Sequence, residues 1–216
     1  KLFISEAINQ NFALNKKMLV EEAKKSLLRM KIDYFDLFMI GAINPEVPVR
    51  EVADGMMELL NKGLVRNIGA SNYRLEELKF IDQYTGGKIV CDEMHYNLVI
   101  REPEITGELK YCLENNIVLS AYRPLQLGQL SKPGIGLLDR MAAKYGKSQS
   151  QIALKWLVQK EGVVAIVKAL DKKHIDENLV IFGWEIEAED MQDLDKNFPI
   201  QIRISDCSGP RKPKLE

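Results

Sequence analysis

The chain carries little sulfur, almost no net charge and no long apolar run. Its three cysteines, Cys91, Cys112 and Cys207, are odd in number, far apart and contain no CxxC pair. That usage excludes a disulfide framework, argues against a zinc site and implies reduced thiols in a cytoplasmic protein. Lysine plus arginine number 30 against 31 aspartate plus glutamate, a formal net charge of -1 with both signs interspersed. Such a balance excludes bulk electrostatic recruitment to nucleic acid or to an anionic membrane. No apolar run approaches the roughly 20 residues that span a bilayer, and no signal peptide is visible. There is no leading Met, and Lys1 passes at once into the apolar triplet Leu2-Phe3-Ile4. That start reads as a truncated or processed chain.

What is present is ordinary globular composition: 216 residues, 46% hydrophobic and 28% charged. This suffices for one sizeable core, and one domain is expected. Short β-branched runs alternate with segments of helical periodicity, the pattern of repeated βα units around a parallel sheet. Six strands are predicted, at Leu2 to Ser5, Tyr34 to Ile40, Val65 to Ala70, Ile89 to Met94, Ile117 to Tyr122 and Val163 to Val167. Helices are predicted at Met18 to Met30, Val49 to Lys62, Arg74 to Gln83, Glu104 to Asn115, Gly136 to Tyr145, Ser148 to Gln159, Lys172 to Val180 and Ala188 to Asn197. Ser148 is a plausible N-cap for the stripe Ile152, Leu154, Trp156 and Leu157. Gly63 and Gly146 suit the left-handed backbone that ends a helix. Residues 1–200 form the expected domain, and 201–216 a tail whose basic, proline-containing stretch from Arg203 to Lys214 reads as solvated.

Five blocks carry more than periodicity. They are Ser26-Leu27-Leu28-Arg29-Met30-Lys31-Ile32-Asp33-Tyr34-Phe35-Asp36-Leu37-Phe38, Gly63 through Ser71-Asn72-Tyr73, Ala121-Tyr122-Arg123-Pro124-Leu125, Ala142 through Ser148, and His174-Ile175-Asp176-Glu177-Asn178-Leu179. In order and spacing, from about Lys1 to Asn197, the chain resembles the aldo-keto reductase family. The resemblance implies an α/β fold of (β/α)8 TIM-barrel type, with about six of the eight βα units in this chain. It also implies hydride transfer from NADP(H) or NAD(H) to a small-molecule aldehyde or ketone. The family's first two βα units would precede Lys1. A sheet lacking them leaves parallel edges open, so an upstream segment, a covering partner or self-association through those edges is expected.

Reduction of a carbonyl leaves charge on oxygen and needs a proton donor beside it. In the family this is a Tyr tuned by a Lys and an Asp, with a His nearby. The Tyr and Asp belong to the two missing units. The Lys position matches Ala7, after Glu6, and the His position matches Gly41, followed by Ala42-Ile43. The resemblance therefore implies weak or absent catalysis. Small residues at barrel strand ends are an equally open reading of Ala7 and Gly41.

On the cofactor side, Ser71 and Asn72 match the pair that holds the nicotinamide carboxamide, although alone they also read as a turn. Glu93 stands where a Gln completes that grip, and a carboxylate accepts but does not donate. Tyr122 matches the aromatic that stacks on the nicotinamide, and Arg123, Leu125 and Gly128 fall in the loop along the pyrophosphate. Lys168 matches a Lys at the 2′-phosphate of NADPH, Ala169 replaces a Ser or Thr, and His174 replaces an Arg. Glu177 and Asn178 match the adenine pair, and equally read as a polar helix face. His95, two residues after Glu93, shares its face by strand alternation. A lone His is more often structural than catalytic. No metal is implied. A non-catalytic scaffold for nucleotide or protein partners, or a barrel fragment, remains the alternative to a crippled reductase.

Overall fold

The computed structural model describes residues 2–8, 15–41 and 47–207. Ala42-Ile43 and the tail beyond Cys207 lie outside the described residues. In chain order the elements are β1 (Ser5–Ile8), α1 (Lys16–Met30), β2 (Leu37–Gly41), α2 (Val49–Asn61), β3 (Ile68–Ser71), α3 (Leu75–Tyr84) and β4 (Ile89–His95). They continue with α4 (Glu102–Thr106), α5 (Glu108–Glu114), β5 (Val118–Tyr122), α6 (Gly136–Tyr145), α7 (Gln149–Val158), β6 (Val163–Ala165), α8 (Lys172–Leu179) and α9 (Ala188–Asn197). The paired strands run parallel, so the expected α/β class holds.

Two compact units emerge. The first covers the described residues up to Glu93 together with Gly107–Val118, and the second covers Met94–Thr106 and Leu119–Cys207. Strand order follows chain order in each.

In the first unit, alternation along the strands sorts side chains onto two faces. Phe38 and Ile40 of β2 and Ile68 and Ala70 of β3 join Leu19, Ala23 and Leu27 of α1 and Val52, Met56 and Leu59 of α2 in one buried cluster. The opposite face holds a small cluster of Leu37, Met39 and Cys91. Register places Ala7 opposite Met39, Gly41 opposite Ser71, and Ser71 opposite Glu93. Ala7, Gly41, Ser71 and Glu93 therefore share the face of the smaller cluster. Closeness at its centre depends on Gly69, where a Cβ would stand 2.8 Å from the Cys91 carbonyl oxygen and 3.0 Å from Met39 Cγ.

Several boundaries differ from the sequence reading. The first strand starts at Ser5, not Leu2, because the Ile4 N–H is taken by Asp36 Oδ2 at 3.1 Å and Leu2 and Phe3 are exposed. The single helix expected at Glu104 to Asn115 is two, since Gly107 adopts φ 99° between α4 and α5. This break is also where the chain returns from the second unit to the first. The stretch read as loop after Leu125 contains a 3-10 turn, Gln126–Ser131.

In the second unit β5 pairs with β6, Leu119 opposite Val163 and Ala121 opposite Ala165. Ser148 caps α7 as expected: its Oγ accepts from Gln151 N at 3.2 Å while Gln151 Oε1 accepts from Ser148 N at 3.0 Å. Gly146 ends α6 with φ 61°. Arg101, 1% exposed, lies over the Trp156 ring and donates to the carbonyls of Leu98 and Leu194. Its own N–H donates to the Ile202 carbonyl, and Ile100 bridges Ile202. Of the stretch from Arg203 read as solvated, Arg203 and Ile204 are exposed, but Ser205 is buried, with its N–H on Glu102 Oε2 at 2.7 Å.

Replacing Gly69 by Ala forces a carbon against a carbonyl that cannot retreat without breaking the β3–β4 ladder. Overpacking of this kind costs about 1–3 kcal/mol. G69A is expected to lower the unfolding free energy by that amount, seen in equilibrium urea denaturation as a lower midpoint with an unchanged slope.

Candidate functional site

At the C-terminal end of β3, Ser71 is buried and Asn72 adopts a left-handed backbone, φ 58°. That turn is held by Asn72 N–H on the Glu93 carbonyl at 2.8 Å and by Asn72 Nδ2 on Ser71 Oγ at 3.2 Å. The Ser71 hydroxyl donates to the Glu93 carboxylate, which favours its charged form, but burial wins and raises the Glu93 pKa above the ordinary value. Ser71, Asn72 and Glu93 are thus brought together. On the same face Met39, Gly41 and Ala7 offer no group that moves a proton.

Asp92, beside Glu93, is fully buried. Burial first, then the Glu108 carboxylate, hold its pKa well above the usual range, against the Tyr73 backbone N–H; Glu93 and Glu77 add to the rise. Glu108 and Glu77 themselves accept from the Leu75 and Arg74 N–H groups, at 3.0 and 2.7 Å. They are fixed by the start of α3, and burial beside them favours the protonated form of Asp92.

In the second unit the Tyr122 ring stacks on His95, centroids 5.2 Å apart and 19° between planes. Burial, then a hydrogen bond to Cys207, push the Tyr122 pKa up, so its hydroxyl keeps its proton. Burial holds the His95 imidazole below its ordinary value. Leu125, Gly128, Lys168, His174, Glu177 and Asn178 line one cavity of about 550 Å³, with Ser148 and Ser150 on its wall. The loop feeding it is bent hard, with left-handed Arg123, Gln126 and Leu127. Non-glycine residues in that region cost energy and cluster where backbone must be aimed. His174 is exposed, its Nδ1 2.8 Å from Asp171, the cap of α8. Ala169 lies elsewhere, on an apolar groove with Ile175 and Leu179.

Sequence reasoning singled out His95 but missed what surrounds it: Asn97, Gln126, Ser205, Asp206 and Cys207. No spacing rule links positions so far apart. The seating of Ile202 on Ile100 and the Ser205 N–H on Glu102 bring the last three there.

The family model described as the aldo/keto reductase family matches residues 1–197. The chain belongs to the aldo/keto reductase family. This aldo/keto reductase chain is 31% identical over 172 residues to a glyoxal reductase of Bacillus subtilis, covering 80% of the chain and 60% of that relative. A thermostable aldo-keto reductase crystallised with the inhibitor epalrestat superposes with a TM-score of 0.85 at 36% identity, over 90% of this chain and 70% of that one. An aldo/keto reductase from Klebsiella pneumoniae, crystallised with NADP and acetate, gives 0.83 at 23% identity, over 94% and 74%. This last likeness supports the fold alone. The chain spans about three fifths of the length of the curated relatives it matches. Among the described residues no helix is long and apolar enough to cross a membrane.

The elevated Asp92 pKa has a sign that can be measured. An unfolded Asp ionises near pH 4, so the cost of keeping Asp92 neutral is absent below that and grows as pH rises toward the folded value. Thermal melts of Asp92→Asn are expected to show a higher Tm than the parent at pH 7, with the gain fading by about pH 3.

Proposed function

We propose that this chain binds a nicotinamide dinucleotide, NADP(H) or NAD(H), and that its own carbonyl-reductase activity is very weak or absent. The observation that carries this reading is the shared face: Ser71 and Glu93 are in place, while Ala7 and Gly41 in the same rows hold no acid or base. The donor set fits such a ligand. Lys168 and His174 on one cavity suit a 2′-phosphate, and Glu177 and Asn178 beside them suit adenine. Within the first unit Ser71, Asn72 and Glu93 suit a carboxamide; within the second, Tyr122 suits a ring face and the backbone of Arg123, Leu125 and Gly128 a pyrophosphate. Ala169, on its separate groove, adds nothing polar. When bound, the cofactor supplies a hydride for a small carbonyl substrate. This chain's contribution is to orient it, because Tyr122 donates its proton to Cys207 and Gly41 has none to give.

Missing general acid-base groups cost about 10² to 10⁴ in rate. Aldehyde reduction should therefore stay near background while NADPH quenches protein fluorescence saturably. Lys168→Ala is expected to weaken NADPH about 10- to 100-fold, the worth of one charge-assisted contact, and NADH far less. Glu93→Gln restores an amide donor; it should tighten cofactor binding at pH 7 and remove its strengthening at lower pH, where the parent's Glu93 gains a proton. No cofactor response at saturating concentration overturns the reading.

A second reading, a scaffold working through contact with a partner or a second copy, is favoured by one surface. In the second unit Val164, Ile175, Leu179 and Phe182 border an apolar groove of about 430 Å³, and Phe182 is 72% exposed. Contiguous apolar surface of this kind marks interaction sites. Light scattering is expected to show concentration-dependent self-association that Phe182→Glu abolishes; a monomer at every concentration removes self-association from this reading.

A further inference from the structure

The surroundings of His95 form a chain of hydrogen bonds whose direction is determined at every link. Asn97 Oδ1 accepts from the N–H groups of Val99 and Ile100, at 2.9 and 2.8 Å. Its Nδ2 must then be the atom that donates to the Arg123 carbonyl at 2.9 Å and to Gln126 Oε1 at 3.0 Å. Gln126 Oε1 is an acceptor, and it stands 2.8 Å from His95 Nε2. Nε2 therefore carries the ring proton, and Nδ1 presents a lone pair.

That lone pair faces a cluster of donors. Ser205 Oγ lies 2.7 Å from Nδ1, and Asp206 Oδ1 lies 3.5 Å from it. Asp206 Oδ1 is also 3.5 Å from Cys207 Sγ. Among the described residues, His95, Asp206 and Cys207 are the group of three metal-ligating side chains whose donor atoms all fall within 4.8 Å of one another. Donors sharing one tetrahedral Zn²⁺ at 2.0–2.3 Å stand about 3.3–3.8 Å apart. Two separations already match; the pair of His95 and Cys207 has to close, and Ser205 Oγ has to move outward if it serves as a donor.

We infer that His95 Nδ1, Asp206 and Cys207 form a binding site for a borderline-soft divalent cation, Zn²⁺ above all, with Ser205 Oγ or water as the fourth donor. The mixed nitrogen, oxygen and sulfur set suits Zn²⁺ and excludes Mg²⁺ or Ca²⁺, which take oxygen. The Gln126 carbonyl on Nε2 is the outer contact that fixes the tautomer of a metal-binding imidazole. The odd, widely spaced cysteines without a CxxC pair argued against a zinc site; this one draws on a single thiol that folding sets beside His95 and Asp206. On binding, the Cys207 S–H bond breaks, its proton goes to solvent, and sulfur donates its electron pair to the metal. The guanidinium of Arg123, now 3.3 Å from Cys207 Sγ and 3.5 Å from Asp206 Oδ2, balances the same anions. Arg123 is about one-third exposed and can turn outward, so it competes with the metal.

Because cofactor is not needed, the test is independent of the nicotinamide reading. The chain as it stands is titrated with Zn²⁺ against a chromophoric chelator, and with Co²⁺ in the spectrometer. One equivalent of Zn²⁺ should bind with release of a proton, and Co²⁺ should give a thiolate charge-transfer band. Cys91 and Cys112 are buried, with thiols pushed up by burial, so the band reports Cys207. Cys207→Ser should remove the band and weaken Zn²⁺ at least 10-fold, and Gln126→Ala should weaken it about 10- to 100-fold. Arg123→Gln should strengthen it. His95→Gln is read alongside circular dichroism, because a buried ring supports the fold; Cys207→Ser, at a partly exposed position, carries the test if that variant unfolds. Absence of saturable Zn²⁺ binding, or equal affinity in Cys207→Ser, overturns the site.

Discussion

Parallel register among β2, β3 and β4 is the constraint on which the first unit depends. Side chains alternate with period two, so a slip of one residue would send Ser71 and Glu93 to the helix side and bring Ala70 and Asp92 to the other. The register is held by packing. Phe38, Ile40, Ile68 and Ala70 are completely or nearly buried against α1 and α2, and none has a low-cost alternative on the opposite face. Gly69 is the point where the ladder is tightest, since only a residue without a Cβ lets β3 lie so near the Cys91 carbonyl. The row that carries Ser71 and Glu93 beside Ala7 and Gly41 is therefore a by-product of core packing.

The second unit is organised around a different kind of interaction. Arg101 is a buried cation, and such a group is tolerated only when its charge and its donors are met. The Trp156 face, two backbone carbonyls and the carboxylates of Glu104 and Asp195 meet them, with Lys160 sharing both acids. Burial alone would push Asp195 up, yet Lys160, Trp156 and Arg101 bring its pKa below the usual range. The same stretch of chain, through Arg101 N–H and Ile100, seats Ile202 and delivers Ser205, Asp206 and Cys207 to His95. One segment, 95–102, thus couples the packing around Arg101 to the side chains gathered at His95.

Much of the fold was legible because it rests on local physics. Alternating β and α periodicities gave the parallel α/β class, and the helices Gly136–Tyr145 and Ala188–Asn197 coincide with their predicted bounds. Ser148 and Gly146 were readable as caps because capping is a matter of one side chain or one φ angle. What was misread involved competition with distant groups. Asp36 takes the Ile4 N–H from thirty-two residues away and moves the first strand's start. Gly107, at φ 99°, divides a helix that propensity alone would continue, at the point where the chain returns to the first unit.

The sequence by itself determined the family, the strand and helix order, and which residues stand at the positions the resemblance singles out: Ser71, Asn72, Tyr122 and Lys168 on one side, Ala7, Gly41, Glu93 and His174 on the other. Those are properties of residue identity at motif spacing. Tertiary structure decided the state of those residues. The raised pKa values of Glu93 and Asp92, the tautomer of His95 and the donors gathered around it arise from burial and from partners remote in the chain. Desolvation and hydrogen-bond direction depend on three-dimensional neighbours, and no pattern along the chain encodes them.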